Sequence, residues 1–101
     1  MSSKYTIRYL PSVDKDLVSI LDWIAKDNPH RAVEFIERIE KRIEKLEIHP
    51  FSGVIPRHPK LRDYGYIILI VEKCLVFYVV RGKTVRIHRV LHGSRHYENL
   101  L

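Results

Sequence analysis

The sequence has little cysteine and no long apolar run. Cys74 is the only cysteine among the 101 residues, so an internal disulfide is excluded, and its apolar neighbours predict a buried, reduced thiol. The chain start lacks the apolar stretch of a signal peptide. The longest apolar runs, residues 66–71 and 74–80, are far too short to span a bilayer. We therefore expect a cytoplasmic protein that is not held in a membrane.

Acidic residues are scarce in the second half of the chain. Residues 1–50 carry nine Lys or Arg and nine Asp or Glu, whereas residues 51–101 carry nine Lys or Arg and only three acidic residues. The second half therefore supplies the whole formal charge of +6, and it also holds four of the six histidines. A basic region with histidine and tyrosine suits a polyanion, and RNA is the first ligand to consider. The alternative is a solvated basic surface that only aids solubility.

The first half of the chain predicts a strand and a helical hairpin within a single domain over residues 1–101. A short alternating strand ends at Pro11. Ser12 is the expected N-cap of the first helix, and Asn28 with Pro29 ends that helix and starts the second. Apolar residues recur every three or four positions in both helices, which predicts one apolar side. They are Val13, Leu17, Ile20, Leu21 and Ile24, followed by Ala32, Ile36, Ile39, Ile43 and Leu46.

A loop and three strands complete the predicted fold. Prolines and Gly53 make residues 49–63 a loop, and residues 66–71, 75–80 and 84–91 have the composition of strands. The apolar strands leave neither face of the sheet strongly polar. Because two helices can cover only one face, we expect a protein partner to cover the other. The predicted class is α+β, in which a small antiparallel or mixed sheet packs on a helical hairpin and a short C-terminal tail follows.

Four aromatic residues have two interpretations each. Trp23 and Phe35 lie on the hairpin, where packing is expected rather than contact with a nucleobase. Tyr64 and Tyr66 flank Gly65 at the start of a strand, where a base could stack or a core could close.

Residues that could cleave RNA are concentrated near the end of the chain. Cleavage without metal needs a base for the 2′-hydroxyl, cations for the charged phosphorane and an acid for the leaving oxygen. Histidine and tyrosine can transfer protons, and arginine clamps phosphate oxygens in a forked geometry. The residues of these types are His92, Arg95, His96 and Tyr97, with Arg62 in the preceding loop.

Further basic residues lie on either side of this group. Arg86 and His88 alternate with apolar residues in the last strand, so they are expected to point away from the helices. The loop contributes Arg57, His58 and Lys60. In an antiparallel meander, the start of the second strand and the end of the fourth lie at opposite ends of the sheet. The loop would bring them together only by folding back across the sheet face.

A metal site is the competing interpretation of two histidines. His92 and His96 are four residues apart, a spacing that can chelate zinc from a helix. Gly93 lies between them, however, and Cys74 and the nearby carboxylates do not form an obvious remaining ligand set. We predict neither a metal nor another cofactor.

The order strand, helical hairpin and three-stranded meander resembles the RelE/ParE superfamily of type II toxins over nearly the whole chain. The most specific match is residues 89–97, Arg-Val-Leu-His-Gly-Ser-Arg-His-Tyr, which is close to the RVLHGxRxY ending common in that superfamily. Weaker matches are Asp27-Asn28-Pro29, His49-Pro50-Phe51 with Gly53, and Leu61-Arg62 before Gly65-Tyr66. The resemblance implies a cognate antitoxin, encoded beside the toxin, whose C-terminal segment wraps and neutralises it.

Members of this superfamily act in two ways. RelE-like members cut mRNA in the ribosomal A site without metal, by attack of a 2′-hydroxyl on the adjacent phosphate, whereas ParE-like members inhibit DNA gyrase. Arg62 and Arg95 match catalytic arginines of the RelE-like toxins, and Tyr97 lies close to the position of their catalytic tyrosine. Two points leave the activity open: Ile67 stands where many members have arginine, and the His-Gly-x-Arg ending occurs in both groups.

The expectation that follows is a ribosome-dependent mRNA endonuclease. Arg62 and Arg95 would stabilise the phosphate, and His92, His96 or Tyr97 would transfer protons. The residues expected to hold messenger or ribosomal RNA are Arg57, His58, Lys60, Arg86 and His88. The first alternative is an inhibitor of DNA gyrase without catalysis, and the second is a basic RNA-binding domain with neither activity.

Overall fold

The computed structural model describes residues 4–93 and contains the predicted elements together with one further short helix. A 3₁₀ turn, Lys45–Glu47, follows the helical hairpin directly. In chain order the strands and helices are β1 (Thr6–Tyr9), α1 (Pro11–Ala25), α2 (Pro29–Glu44), α3 (Pro59–Tyr64), β2 (Ile67–Val71), β3 (Cys74–Arg81) and β4 (Thr84–His92). The α+β class is therefore confirmed.

The four strands form one mixed sheet in the order β1-β4-β3-β2. Strand β1 lies parallel to β4, whereas β2, β3 and β4 form the antiparallel meander that the sequence predicts. The register changes in the β3–β4 ladder, where Phe77 is opposite Arg89 and Tyr78 is opposite Ile87. His88 is therefore the extra residue of a β-bulge in β4.

The two long helices begin in different ways. The Asn28 side chain accepts a hydrogen bond from the backbone N–H of Arg31 at 3.2 Å, which confirms the predicted cap of α2. The predicted Ser12 cap of α1 is wrong. Pro11 occupies the first helical position, so Ser12 lies inside the helix, and its Oγ donates a 2.6 Å hydrogen bond to the carbonyl of His88 instead.

Helices α1 and α2 cover one face of the sheet, here called the hairpin face. Phe35 is buried in this core, whereas Trp23 lies outside it and is 59% exposed. Cys74 is a buried free thiol, and burial raises its pKa to about 11. The buried residues of this core are Val13, Ile20, Phe35, Ile39, Ile43, Leu46, Ile67, Leu69, Val71, Cys74, Val76, Tyr78, Val85, Ile87 and Val90.

The opposite face, here called the α3 face, is covered only in part by the chain itself, since Ile70 of β2 stays 51% exposed there. The expectation that a protein partner covers the rest of this face stays a prediction. The segment before β2 turns back across the sheet, where the backbone of Val54 pairs with Ile68 through two hydrogen bonds of 2.8 Å. Leu61 of α3 then packs with Ile68 and Phe77 in a second, smaller core.

Helix α3 replaces part of the loop that was predicted over residues 49–63. Pro59 occupies its first turn, and Gly65 ends it in the left-handed region at φ 102°. These two residues were the available signals, but six residues are too few to show a helical period. Within residues 4–93, no helix is both long enough and apolar enough to cross a bilayer.

Candidate functional site

The structure separates the predicted catalytic residues that it describes. Arg62 lies exposed on α3 with Asp63 at 3.9 Å, and His92 is the last residue of β4. The remaining three, whose positions fall outside the described residues, are Arg95, His96 and Tyr97.

The C-terminal end of helix α3 and His92 lie at opposite ends of β4, although Leu61 of α3 packs on Phe77, which is opposite Arg89. Arg81 donates a 2.6 Å hydrogen bond to the carbonyl of Tyr64, the last residue of α3, and Arg81 is opposite Thr84 at the start of β4. His92 ends the same nine-residue strand. At about 3.3 Å per residue these ends are roughly 25 Å apart. The fold-back over the sheet therefore does not bring the end of α3 to His92, and no contact within residues 4–93 joins Arg62 to His92.

His92 belongs instead to a groove beside the helical hairpin. Its ring lies 4.6 Å from the ring of Trp23, centroid to centroid, at an interplanar angle of 50°. The cavity at this point has a volume of about 490 Å³, and we call it the Trp23 groove. Its lining combines apolar and charged residues: Trp23, Ile24, Asp27, Asn28, Arg31, Phe35, Arg38, Glu72, Lys73 and His92.

An ion pair forms one rim of the Trp23 groove. The guanidinium of Arg38 donates to both carboxylate oxygens of Glu72, at 2.6 and 3.3 Å. These hydrogen bonds raise the pKa of Arg38 and lower the pKa of Glu72. Glu72 has φ 56°, the positive value that two-residue hairpin turns use, at the connection between β2 and β3. The pair therefore links α2 to this turn, a contact that the sequence did not indicate.

A second ion pair joins α1 to β4. Arg89 donates to both oxygens of Asp16 at 2.8 and 2.9 Å, and the backbone N–H of Val90 donates to the same carboxylate at 2.9 Å. These bonds raise the pKa of Arg89. Sequence reasoning missed the pair because its members are 73 residues apart, and the acidic position near a helix start suggested only an effect of the helix dipole.

Aromatic and basic residues meet on the α3 face near the start of β2. The Tyr66 hydroxyl lies 2.9 Å from Nδ1 of His88, and the Tyr64 ring lies 4.9 Å from the Tyr66 ring. The ambiguity of the two tyrosines is thereby resolved: Tyr66 packs against the second core beside Phe77, whereas Tyr64 stays 53% exposed. Burial raises the pKa of Tyr66. Burial and the positive charges of Arg81 and Arg86 lower the pKa of His88.

The residues predicted to bind RNA lie on two elements, the start of α3 with the preceding loop and strand β4. Arg57 and Lys60 are exposed around the start of α3, and His58 between them is half-buried. Arg86 is exposed on β4, and His88 is occupied by Tyr66. In the part of the chain that the structure describes, no three His, Cys, Asp or Glu side chains lie together in a way that could hold a metal ion.

The fold and these surfaces define a small α+β domain with one groove beside its helical hairpin and a basic face on the other side of its sheet. The model of a known family, the ParE toxin of the type II toxin–antitoxin system parDE, matches residues 7–97. The chain therefore belongs to the ParE toxin family. Among solved structures, the chromosomal ParDE toxin–antitoxin system from P. aeruginosa is similar at a TM-score of 0.76 and 19% identity, covering 92% of this chain and 100% of that chain. At 19% identity, this similarity shows that the two proteins share a fold. A search of curated proteins finds no match.

Family membership confirms some predictions and corrects one. The resemblance to the RelE/ParE superfamily is confirmed, as is a type II toxin with a cognate antitoxin as its partner. The predicted mRNA endonuclease is wrong, because the matching family is that of the ParE toxins. For the same reason, the prediction that the ribosome and mRNA are partners is not supported. The catalytic roles given to Arg62, Arg95, Tyr97, His92 and His96 presuppose that activity and are not carried further.

Proposed function

We propose that this toxin arrests growth by binding DNA gyrase and blocking its supercoiling reaction, without catalysis of its own. The observation that carries the proposal is the match to the ParE toxin family over residues 7–97, since ParE-like members of the superfamily are the gyrase inhibitors. Within the described residues, Arg62 of α3 and His92, which packs against Trp23 of α1, lie on opposite faces of the sheet. The close pair Tyr66 and His88 is part of the packing on the α3 face.

A supercoiling assay tests this function. Purified toxin is added in increasing amounts to gyrase, ATP and relaxed plasmid, and programmed ribosomes are treated in parallel with the same toxin. We expect supercoiling to be lost while the message on the ribosomes stays intact. Toxin that had been mixed with its antitoxin serves as the control and should leave gyrase active. Full supercoiling in the presence of a large excess of folded toxin would overturn the proposal.

We also propose that the Trp23 groove receives an apolar side chain of the antitoxin. Trp23 is the most exposed aromatic residue of the hairpin, and an aromatic side chain of this size buries about 150–250 Å² when it is covered. Exposed apolar surface with a polar rim is typical of protein interfaces. The cations Arg31 and Lys73 line the same groove and suit an acidic antitoxin segment.

The groove can be tested with a matched pair of variants. Trp23→Ala should weaken antitoxin binding about 30-fold, as a central aromatic anchor does. Val33→Ala removes another exposed apolar side chain of the hairpin, at 55% exposure and outside the groove, and should leave affinity unchanged. Trp23 is the only tryptophan, so its fluorescence reports burial directly in the native toxin. Unchanged emission on antitoxin binding, together with unchanged affinity of Trp23→Ala, would exclude this location.

A further inference from the structure

Two arginines lie side by side on the α3 face. Arg8 of β1 is directly opposite Arg86 of β4 in the parallel ladder. Their neighbours Ile7, Val85 and Ile87 pack in the core of the hairpin face, so both arginines point to the other side of the sheet. Both are exposed, and both line one concavity of about 510 Å³.

This pair is electrostatically unfavourable in the isolated toxin. Neighbouring strands are about 4.8 Å apart, and like charges directly opposite each other destabilise a sheet. Within residues 4–93, neither Arg8 nor Arg86 has an ion pair or a side-chain hydrogen bond. An anionic partner would relieve the repulsion.

A third arginine extends the pair across the sheet. Arg81 lies on β3, two residues along from Val79, which is opposite Arg86. Its guanidinium donates to the carbonyls of Tyr64 and Val80, at 2.6 and 3.3 Å, and lies 5.3 Å from the Tyr64 ring. Arg81 is therefore held in place without a carboxylate. The three residues form a row, here called the arginine row, about 10 Å long across three strands.

Acidic residues are concentrated away from this row. Of the eleven acidic residues in the described part of the chain, nine lie within residues 11–47, which form the hairpin and its 3₁₀ turn. The other two already lie beside cations, Asp63 beside Arg62 and Glu72 on Arg38. Burial lowers the pKa of His88, and the charges of Arg81 and Arg86 lower it further, which agrees with positive charge at this place.

We propose that the arginine row binds the phosphate backbone of duplex DNA. The guanidinium fork matches phosphate oxygens, and phosphates along one strand recur about every 3.4 Å of helix axis, so a row of about 10 Å faces roughly three of them. Tyr64 beside the row is 53% exposed, but the bases of a duplex are stacked on one another and offer its ring no free face. Contact is therefore made to the backbone and is independent of sequence.

An acidic peptide fits this row less well than DNA does. A folding peptide gains much of its affinity from buried apolar side chains. The groove that offers such burial, the Trp23 groove, lies at the His92 end of β4, whereas the arginine row crosses β4 near its start. This DNA contact is independent of the proposed action on gyrase, because the toxin itself makes it.

Fluorescence anisotropy of a labelled 20-base-pair duplex with the full-length toxin, in the absence of gyrase, measures this binding. We expect a Kd of roughly 10⁻⁶–10⁻⁴ M at physiological salt. With three phosphate contacts, the logarithm of the binding constant should fall with the logarithm of the salt concentration at a slope of about −2.7. The affinity should therefore decrease about 40-fold between 50 and 200 mM salt. Arg8→Ala and Arg86→Ala should each make the slope shallower by about 0.9, whereas Arg86→Lys should retain most of it.

Arg42→Ala is the matched control, because it removes the same charge from an exposed position of α2 that lies outside the Trp23 groove and away from the arginine row. It should leave the slope unchanged, and melting curves establish that every variant is folded. Three results would overturn the proposal: no measurable binding to the duplex, equal effects of Arg86→Ala and Arg42→Ala, or at least tenfold tighter binding of an RNA hairpin of the same length. Loss of antitoxin affinity in Arg86→Ala, with DNA binding unchanged, would assign the row to the antitoxin instead. Each of these results leaves the supercoiling assay as an independent test of the action on gyrase.

Discussion

The two faces of the sheet are built for different tasks. The hairpin face packs two long helices on a broad aliphatic core, and their outer surface carries most of the acidic residues. The α3 face has a core of only Leu61, Ile68 and Phe77, bordered by tyrosines and by the arginine row, whose members have no carboxylate partner within the described residues. Buried apolar area is the main source of folding free energy. The comparison therefore assigns most of the stability to the hairpin face and leaves the α3 face available for binding.

The largest effect should follow from a cavity in the hairpin core. Ile39 of α2 is fully buried, and Ile39→Ala should lower the free energy of unfolding by about 3–4 kcal/mol, since lost burial and the cavity both contribute. Urea unfolding followed by circular dichroism measures the change. The control is Val33→Ala on the outer surface of the same helix, which should change stability by less than about 0.5 kcal/mol. Similar losses in the two variants would contradict the assignment of stability to the hairpin core.

The next effect concerns the ion pair that ties α1 to β4. Asp16 accepts three hydrogen bonds, from the Arg89 guanidinium and the Val90 N–H, and it is largely buried. Asp16→Asn should destabilise the protein by about 2 kcal/mol, because Arg89 keeps its charge but loses its carboxylate while remaining partly solvated. That loss corresponds to a decrease in Tm of about 8–16 °C for a domain of this size.

Asp14→Asn provides the control for the ion pair. Asp14 is an exposed acidic residue in the first turn of the same helix, so its loss removes only the weak interaction with the helix dipole. Its expected cost is below about 1 kcal/mol. Equal melting temperatures for the Asp14→Asn and Asp16→Asn variants would show that the bridge between α1 and β4 contributes little.

Most of the hairpin face could be predicted from the sequence, because its signals are local. Helical periodicity and Asn28-Pro29 locate α1 and α2, and each meander strand is predicted to within one residue at either end. The α3 face depends on contacts between distant segments. The parallel pairing of β1 with β4 places Arg8 beside Arg86, and six-residue α3 folds back over Phe77. No local period encodes either arrangement.

The activity could not be predicted for a related reason. The ending at residues 89–97 is common to both functional groups of the superfamily, so it identified the superfamily and not the action. The catalytic interpretation required Arg62 to lie near Arg95 and one of His92, His96 and Tyr97. Whether they meet depends on how α3 crosses the sheet, which the sequence does not reveal.

A smaller effect is expected from the protonation of His88. Its pKa in the folded protein is lowered by burial and by Arg81 and Arg86, so the neutral form is favoured by folding. The associated stability is fully present above the unfolded pKa of about 6.5, and it is lost as pH falls below that value towards the folded pKa. The native protein should therefore lose more stability between about pH 7 and pH 5 than His88→Gln does, as measured by urea unfolding at each pH. Parallel pH profiles for the two proteins would contradict the described environment of His88.

The smallest effect has the opposite sign. Removing one of two like charges that face each other should stabilise the sheet, so Arg8→Ala should raise the free energy of unfolding by about 0.2–1 kcal/mol. Thermal melting at low salt measures this change, and added salt should reduce it by screening. A destabilised Arg8→Ala variant would show that the arginine is held by a favourable contact, and the electrostatic argument for the arginine row would fail.

The central claim is that this ParE family toxin acts by occupying a target and not by turning over a substrate. The most direct measurement is a titration of a fixed, known concentration of gyrase with toxin, in which the remaining supercoiling activity is plotted against the molar ratio. If the toxin inhibits by binding, the supercoiling activity should decrease until a fixed ratio of toxin to gyrase is reached, and added antitoxin should restore it. Complete and irreversible loss of activity at a small fraction of one toxin per gyrase, increasing with incubation time, would contradict the account.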